Sequence, residues 1–374
     1  MIDARQLMLT AAVMALAAGG TARAQDYRVY AANEYDANVT VIDPKTETAI
    51  GSIKISGRPG DVRPRGMAVS PDGKTVYISV SDFLPRSETP EDAIVAIDVA
   101  KNEVAKTYRA GGNPERVAIS PDGKQIWAAL EATAQAVGID AATGAELAKF
   151  RTGVESEGVA VSPDGKFVYV TAEASHTVTM IDAQSLKVVG HLLVGNRPRD
   201  VVFGRDGKRA YVSAEIGGTI SVIDTSTRKV VKTINLGLDS RPVAMELSPD
   251  GTLLYIAGGG TSAVYVVDTT TDQVAHVIKE KMGRRPWAVA VSPDGSRVYT
   301  ADGLSDSVSV IDTSCMCVTG QIAAGRDGRA EQQCRDRCGR EKVSSHPPAP
   351  RARSGYRGRR RSGRSRTCRR CRSR

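Results

Sequence analysis

Residues 196–236 read NRPRDVVFGRDGKRAYVSAEIGGTISVIDTSTRKVVKTINL, and this unit decides the fold. It contains four short runs in which apolar and polar residues alternate, namely RDVVF, RAYVSA, TISVID and KVVKTINL, with turn residues between them. Alternation with a period of two is typical of half-buried strands, and short turn-rich connections join strands antiparallel. The unit is therefore predicted to be a four-stranded antiparallel meander.

The same unit recurs along the chain. Its turn signal is SPDG, or GRDG at residues 204–207, and successive copies are spaced by 50, 42, 42, 44 and 44 residues. A four-stranded sheet cannot bury both faces alone, and repeats of this length bury them by radial stacking. Six complete units and three further strands in residues 27–54 predict an all-β fold, a seven-bladed β-propeller of four-stranded antiparallel blades. The Asp and Gly of SPDG are predicted to be turn residues, with Gly at positive φ.

The two ends of the chain depart from the repeat. Residues 1–24 have a charged start, an apolar run and the sequence Ala22-Arg23-Ala24, a pattern typical of a secretory signal peptide; an uncleaved anchor is the alternative. After residue 325 the alternation stops, and residues 326–374 carry a net charge of +14 with almost no apolar side chains. We predict a signal peptide at 1–24, a propeller at 25–325 and a disordered Arg-rich tail at 326–374.

The tail has two interpretations: a genuine basic extension, or out-of-frame translation of a GC-rich gene. The missing inner strand of the first blade is expected from the C-terminus, and a tail without strand character means that this closing strand is absent and leaves an open edge. The remaining 325 residues have a net charge of −5, so we expect no nucleic-acid partner for the folded body. No apolar run after the N-terminus is long enough to span a membrane.

Candidate functional residues follow from the topology, which brings the start of each inner strand and the loop after each second strand to one face. Arginine recurs just before the inner strand and two residues into it, with a tryptophan nearby. These candidate ligand-binding residues are Arg63, Arg65, Arg197, Arg199, Arg241, Arg285 and Trp287. Carboxylates recur four residues after the aromatic of the second strand. These candidate charge partners are Glu34, Glu131, Glu173 and Glu215.

Three interpretations of these charges stay open. The arginines and glutamates could pair and lock the blades together, the arginines could form an anion-binding mouth, or the glutamates could hold a divalent metal. We expect the first most, and we assign neither a catalytic nor a metal-binding residue. The sequence has no CxxCH motif and no pair of histidines at metal-ligand spacing, so haem is not expected.

Several segments also carry a family resemblance. The segments that carry it are Arg285-Pro286 through Thr300, Val168-Tyr169-Val170-Thr171, residues 196–234 and DGLSDSVSVIDT at 302–313. Through these segments, residues 27–325 resemble the YVTN family of β-propellers. They are especially similar to seven-repeat periplasmic propellers associated with PQQ-dependent alcohol catabolism. The resemblance implies a periplasmic or secreted, non-catalytic binding or scaffold protein. It further implies PQQ or a small carboxylate as ligand, and a quinoprotein dehydrogenase or transport components as partners. A lactonase-like metal-dependent hydrolase and a surface adhesion module are the alternatives.

Overall fold

Seven four-stranded antiparallel sheets make up the fold in the computed structural model, which describes residues 13–17, 27–56, 60–83 and 89–325. Blade 1 comprises β1 (Val13–Ala17), β2 (Tyr27–Asn33), β3 (Asn38–Asp43) and β4 (Thr48–Lys54). Blade 2 comprises β5 (Arg63–Val69), β6 (Thr75–Ser81), β7 (Ala93–Asp98) and β8 (Glu103–Arg109). Blade 3 comprises β9 (Pro114–Ile119), β10 (Gln125–Leu130), β11 (Gln135–Asp140) and β12 (Glu146–Arg151). Blade 4 comprises β13 (Ser156–Val161), β14 (Phe167–Ala172), β15 (Thr177–Asp182) and β16 (Lys187–Leu193).

The last three blades repeat the arrangement. Blade 5 comprises β17 (Pro198–Phe203), β18 (Arg209–Ala214), β19 (Thr219–Asp224) and β20 (Lys229–Asn235). After a short 3-10 helix (Leu238–Ser240), blade 6 comprises β21 (Pro242–Leu247), β22 (Leu253–Gly258), β23 (Ala263–Asp268) and β24 (Gln273–Ile278). Blade 7 comprises β25 (Pro286–Val291), β26 (Arg297–Asp302), β27 (Ser307–Asp312) and β28 (Cys317–Ala323). The order within each sheet is sequential, as predicted for a meander.

The first strand of each blade lies innermost, and these strands contact one another in a closed ring. In ring order they are β1, β5, β9, β13, β17, β21 and β25. The ring confirms the prediction of an all-β seven-bladed propeller with a central channel. Among the described residues, no helix is long and apolar enough to cross a membrane.

The core lies between the blades, where the alternating apolar residues of adjacent sheets meet. Each second strand contributes one aromatic side chain, at most 7% exposed, which covers the neighbouring sheet. These residues are Tyr30, Tyr77, Trp127, Tyr169, Tyr211, Tyr255 and Tyr299. Trp127 and Ala129 of blade 3, for example, pack with Val168 and Val170 of blade 4. Radial stacking thus buries faces that a single sheet would leave in water.

The SPDG turns behave as the sequence predicts. In the first copy, Ser70 Oγ donates to Asp72 Oδ1 over 2.6 Å and accepts the Thr75 N–H over 2.9 Å, while Gly73 has φ +70°. The other four SPDG copies repeat the Ser–Asp bond. The carboxylates that end each third strand accept backbone hydrogen bonds from the turn that follows. Asp224, for example, accepts the Thr227 N–H over 2.7 Å.

The closure of blade 1 differs from the expectation. The inner strand is β1, which pairs antiparallel with β2 from Val13↔Ala31 to Ala17↔Tyr27, and it lies beside β5 and β25. The strand expected from the C-terminus is absent from the described residues, which end at 325, but the edge is not open because a segment of the N-terminus fills it. Apart from the backbone of 13–17, the predicted signal peptide lies outside the described residues, and so does the whole predicted tail.

Candidate functional site

One backbone hydrogen bond, repeated from blade to blade, builds the mouth of the channel. We call the residue before each inner-strand proline, or its equivalent, the rim position, and the residue four after each second-strand aromatic the turn position. In blades 3 to 7 the turn-position N–H donates to the rim-position carbonyl over 2.8–3.1 Å. The donor and acceptor residues are Glu131 and Asn113, Glu173 and Glu155, Glu215 and Arg197, Gly259 and Arg241, and Gly303 and Arg285. Side chains at the two positions are therefore neighbours.

The rim positions also share an unusual backbone. Five of them, Asn113, Glu155, Arg197, Arg241 and Arg285, have φ between 45° and 60°. The left-handed region is uncommon for residues other than glycine, and such residues concentrate at binding sites and tight turns. Two residues after each rim position is a third register, which we call the channel position. These residues are Arg65, Glu115, Glu157, Arg199, Val243 and Trp287.

On blade 2, both arginines are paired with carboxylates. Arg63 Nη1 lies 3.2 Å from Glu34 Oε1, and its Nη2 lies 3.5 Å from Glu115 Oε1. Arg65 forms an ion pair with Glu115 and a further one, at 3.8 Å, with Glu157. These contacts cross from blade 1 through blade 2 to blades 3 and 4, so the arginines join adjacent blades.

On blades 4 and 5 the pairing is equally complete. Arg197 Nη2 lies 2.7 Å from Glu173 Oε2, and its Nε lies 3.1 Å from Glu215 Oε2. Arg199, only 4% exposed, forms ion pairs with Glu173, with Glu157 at 3.2 Å and with Glu215 at 3.7 Å. We call the set on blades 1 to 5 the paired sector; it comprises Arg63, Arg65, Arg197, Arg199, Glu34, Glu115, Glu157, Glu173 and Glu215.

Charge coupling in the paired sector shifts several pKa values. Burial alone would raise the pKa of Glu157, but Arg199 and Arg65 hold it below its ordinary value. Burial raises the pKa of Glu115 despite Arg65, because Glu157 and Glu131 add negative charge nearby. Burial works against the charge of Arg65, yet Glu115 and Glu34 raise its pKa. The sector is thus one electrostatic network rather than a set of separate pairs.

Blades 6 and 7 present a different arrangement. The guanidinium groups of Arg241 and Arg285 form neither an ion pair nor a hydrogen bond with any residue that the structure describes. Arg241 is exposed, whereas Arg285 is half-buried and its Nε is screened from solvent. Burial lowers the pKa of Arg285, and although Glu215 opposes the shift, Arg199 and Arg241 add to it. With Trp287, these two arginines form what we call the open sector.

Trp287 lies where the two sectors meet. The Cζ atom of Arg285 lies 4.7 Å from the Trp287 ring centroid, and the Cζ atom of Arg199 lies 4.8 Å from it. Such cation–π contacts hold a guanidinium without neutralising its charge. Arg285 therefore lies against Trp287, and its guanidinium donors form no hydrogen bond with the described residues.

The turn position explains why the sectors differ. It holds Glu173 on blade 4 and Glu215 on blade 5, but Gly259 on blade 6 and Gly303 on blade 7. A Cβ built on Gly259 would lie 3.7 Å from Arg285 Cγ, so a side chain there would run alongside this arginine. Glycine thus removes both turn-position carboxylates beside Arg285, and the one that blade 6 would supply beside Arg241.

The glutamates do not fit a divalent metal. Glu34, Glu173 and Glu215 already face guanidinium groups, which occupy the positions that a cation would need. The described part of the chain holds no group of three His, Cys, Asp or Glu side chains placed for a metal ion. Glu131 is half-buried at its turn position and forms no ion pair with the described residues.

Two residues of the network were not among the sequence candidates. Glu115 and Glu157 are 1% and 4% exposed and bind Arg65 and Arg199. The signal was present, since both stand in the register of Arg65 and Arg199. A search for recurring arginines misses these two glutamates. A search for carboxylates at the same register of other blades finds them.

A cavity at the other end of the channel contains a further carboxylate. It has a volume of about 370 Å³ and is lined in part by Glu246, Arg205 and the SPDG residues Ser70 and Ser292. Burial raises the pKa of Glu246 to about 7, with Arg205 opposing this shift and Asp200 adding to it. Glu246 forms no ion pair with the residues that the structure describes.

Comparisons with known proteins support the fold. The family model "Lactonase, 7-bladed beta-propeller" matches residues 185–323, which include all of blades 5, 6 and 7. The chain is also similar to a solved structure, Kuenenia stuttgartiensis hydrazine synthase. The TM-score is 0.66 at 24% identity, over 77% of this chain and 92% of that chain. At this identity the likeness concerns the fold alone. No curated protein matches the chain.

Proposed function

We propose that this protein is a binding protein for a small anion, and that Arg241 and Arg285 hold the ligand beside Trp287. The observation that carries the proposal is that these two guanidinium groups lack an ion-pair partner among the described residues, whereas Arg63, Arg65, Arg197 and Arg199 are all paired. An external carboxylate or phosphate would take the place that Glu173 and Glu215 fill on blades 4 and 5.

The chemistry of the open sector favours an oxyanion. A guanidinium group offers planar, paired N–H donors that match a carboxylate or phosphate, so two of them favour a ligand with several acidic oxygens. The partial burial of Arg285 reduces competition from water, and the contact with Trp287 limits the side-chain entropy lost on binding.

Calorimetric titration with citrate tests this proposal. Replacing Arg241 and Arg285 with alanine should weaken binding at least about tenfold, because charge-assisted hydrogen bonds contribute about 1.5–3 kcal/mol each. The matched control removes two exposed arginines at the ends of outer strands, Arg109 and Arg151, and should retain the affinity. Equal affinity of both double variants would refute the assignment.

The resemblance to periplasmic propellers supports a finer proposal, that the protein is exported and assists PQQ-dependent alcohol oxidation. PQQ carries several carboxylates, so it is a chemically suitable ligand for two arginines, and a quinoprotein dehydrogenase or transport component is the matching partner. Titration with PQQ in place of citrate is the direct test. Affinity for citrate without affinity for PQQ would retain the anion site and remove this ligand.

Lactone hydrolysis is the second candidate. The match of the lactonase model to residues 185–323 favours it, because these residues carry the open sector. The paired glutamates argue against a route through a metal held by them. Proton release measured in a pH-stat with a panel of lactones distinguishes the candidates, since a binding protein releases no acid above the rate of the uncatalysed reaction.

A further inference from the structure

The mouth of the channel carries opposite charge on its two sides. On blades 3 and 4, five of the six rim, turn and channel positions hold carboxylates, and the sixth holds Asn113. These carboxylates are Glu115, Glu131, Glu155, Glu157 and Glu173. Blades 6 and 7 supply Arg241 and Arg285 and no carboxylate in the same three registers. In the ring of inner strands these two pairs of blades are separated by blade 5 on one side and by blades 1 and 2 on the other.

Two of the carboxylates remain available. Glu115, Glu157 and Glu173 are held by Arg65 and Arg199. By contrast, Glu131 and Glu155 form neither an ion pair nor a side-chain hydrogen bond with any other described residue. Both are half-buried. Glu131 acts electrostatically on Arg65, so its charge is felt at the channel.

The two unpaired glutamates and the two unpaired arginines belong to the same mouth. Glu155, Arg241 and Arg285 are rim positions, and Glu131 is a turn position. A simple anion would satisfy the arginines and leave Glu131 and Glu155 facing it across the mouth, where like charges repel. A molecule with an anionic end and a cationic end would satisfy both sides at once.

We propose that the ligand of the mouth is a small zwitterion, with its anionic end at Arg241 and Arg285 and its cationic end at Glu131 and Glu155. This inference rests on the proposed anion site and adds the second half of the ligand. The two ends of a short peptide or of an ω-amino acid have the required chemistry.

Oligoglycines provide a ladder of zwitterions for the test. Each residue extends the reach by about 3.3–3.6 Å, so lengths from two to five residues sample the width of the mouth. Each length is used in three forms: free, N-acetylated to remove the cation, and C-amidated to remove the anion. Binding to the full chain is measured by calorimetry at low ionic strength, where exposed charges are least screened.

At one length or more, the free peptide should bind at least about fivefold more tightly than its N-acetyl form, because only the free form engages both sides. Replacing Glu131 and Glu155 with glutamine should abolish this difference without weakening binding of the N-acetyl form. The double alanine variant of Arg241 and Arg285 should lose binding of both the free and the N-acetyl peptide. Circular dichroism checks that each variant is folded.

The failures of the two proposals are distinguishable. If free and N-acetyl peptides bind equally at every length, and both lose affinity in the arginine variant, the ligand is a simple anion and the zwitterion proposal falls alone. If no carboxylate probe binds, citrate included, the anion site falls and the zwitterion falls with it. An advantage of the free peptide that survives in the glutamine variant also overturns the present assignment.

Discussion

The paired and open sectors of the mouth are built from the same repeat and have opposite properties. On blade 5, the rim arginine Arg197 lies between Glu173 and Glu215. On blade 7, the rim arginine Arg285 has Gly259 and Gly303 at the corresponding positions and no ion-pair partner among the described residues. The comparison of these two arginines teaches that the side chains at the neighbouring turn positions decide whether the protein itself neutralises the guanidinium group.

The largest effect is expected from breaking the paired sector. Arg199→Ala removes one ion-pair partner from each of Glu157, Glu173 and Glu215. Because removing one member of a buried ion pair costs about 3–5 kcal/mol, the free energy of unfolding should fall by about that amount. Arg285→Ala, in the open sector, should cost less than about 1 kcal/mol, since it leaves no buried carboxylate uncompensated. Urea unfolding at pH 7 measures both. Equal losses would mean that the two sectors do not differ in the way described.

A second prediction compares a paired with an unpaired carboxylate in the same channel. The folded-state pKa of Glu246, about 7, lies above its ordinary 4.5, so its burial destabilises the protein increasingly as the pH rises from about 4.5 to about 7. Glu246→Gln should therefore raise the free energy of unfolding at pH 8 by about 2 kcal/mol, discounting for partial contact with solvent, and change nothing at pH 4.

Glu157→Gln is the matched variant with the opposite sign. Arg199 and Arg65 hold the pKa of Glu157 below its ordinary value, so its charge stabilises the fold at neutral pH, and this stabilisation is lost as the pH falls through the folded-state pKa. The variant should be destabilised at pH 8. Thermal unfolding as a function of pH measures both variants, and the same sign for both would contradict the comparison.

The smallest effect on stability, with a clear effect on binding, is expected from converting the open sector into a paired one. Gly259→Glu supplies the missing carboxylate beside Arg285, where an added Cβ meets Arg285 Cγ at 3.7 Å and the nearest backbone oxygen at 3.4 Å. Stability should change by less than about 1 kcal/mol. Affinity for citrate should fall about tenfold, because the ligand now competes with an internal carboxylate. Gly259→Gln is the control for size, and a similar loss in that variant would indicate a steric effect instead.

The fold could be predicted almost completely from the sequence because it is periodic. The alternation in residues 196–236, the SPDG turns and the recurring aromatic each follow from local chemistry, and copies at a regular spacing fix the number of blades. The closure of blade 1 could not be predicted in this way. Residues 13–17 are apolar, a composition that suits both a signal peptide and a β-strand, so their pairing with β2 could not be predicted.

The candidate site was predictable in its composition but not in its pairing. Arg63, Arg65, Arg197, Arg199, Arg241 and Arg285 are visible as a recurring arginine, and the sequence by itself determines that they share one face. Which of them are neutralised depends on side chains of other blades that are distant in the chain. Arg65, for example, pairs with Glu115 one blade away and with Glu157 two blades away. Electrostatic energy falls with distance in space and is indifferent to distance along the chain. Only the tertiary structure therefore decides that Arg199 is buried in ion pairs and that Arg285 has no ion-pair partner among the described residues.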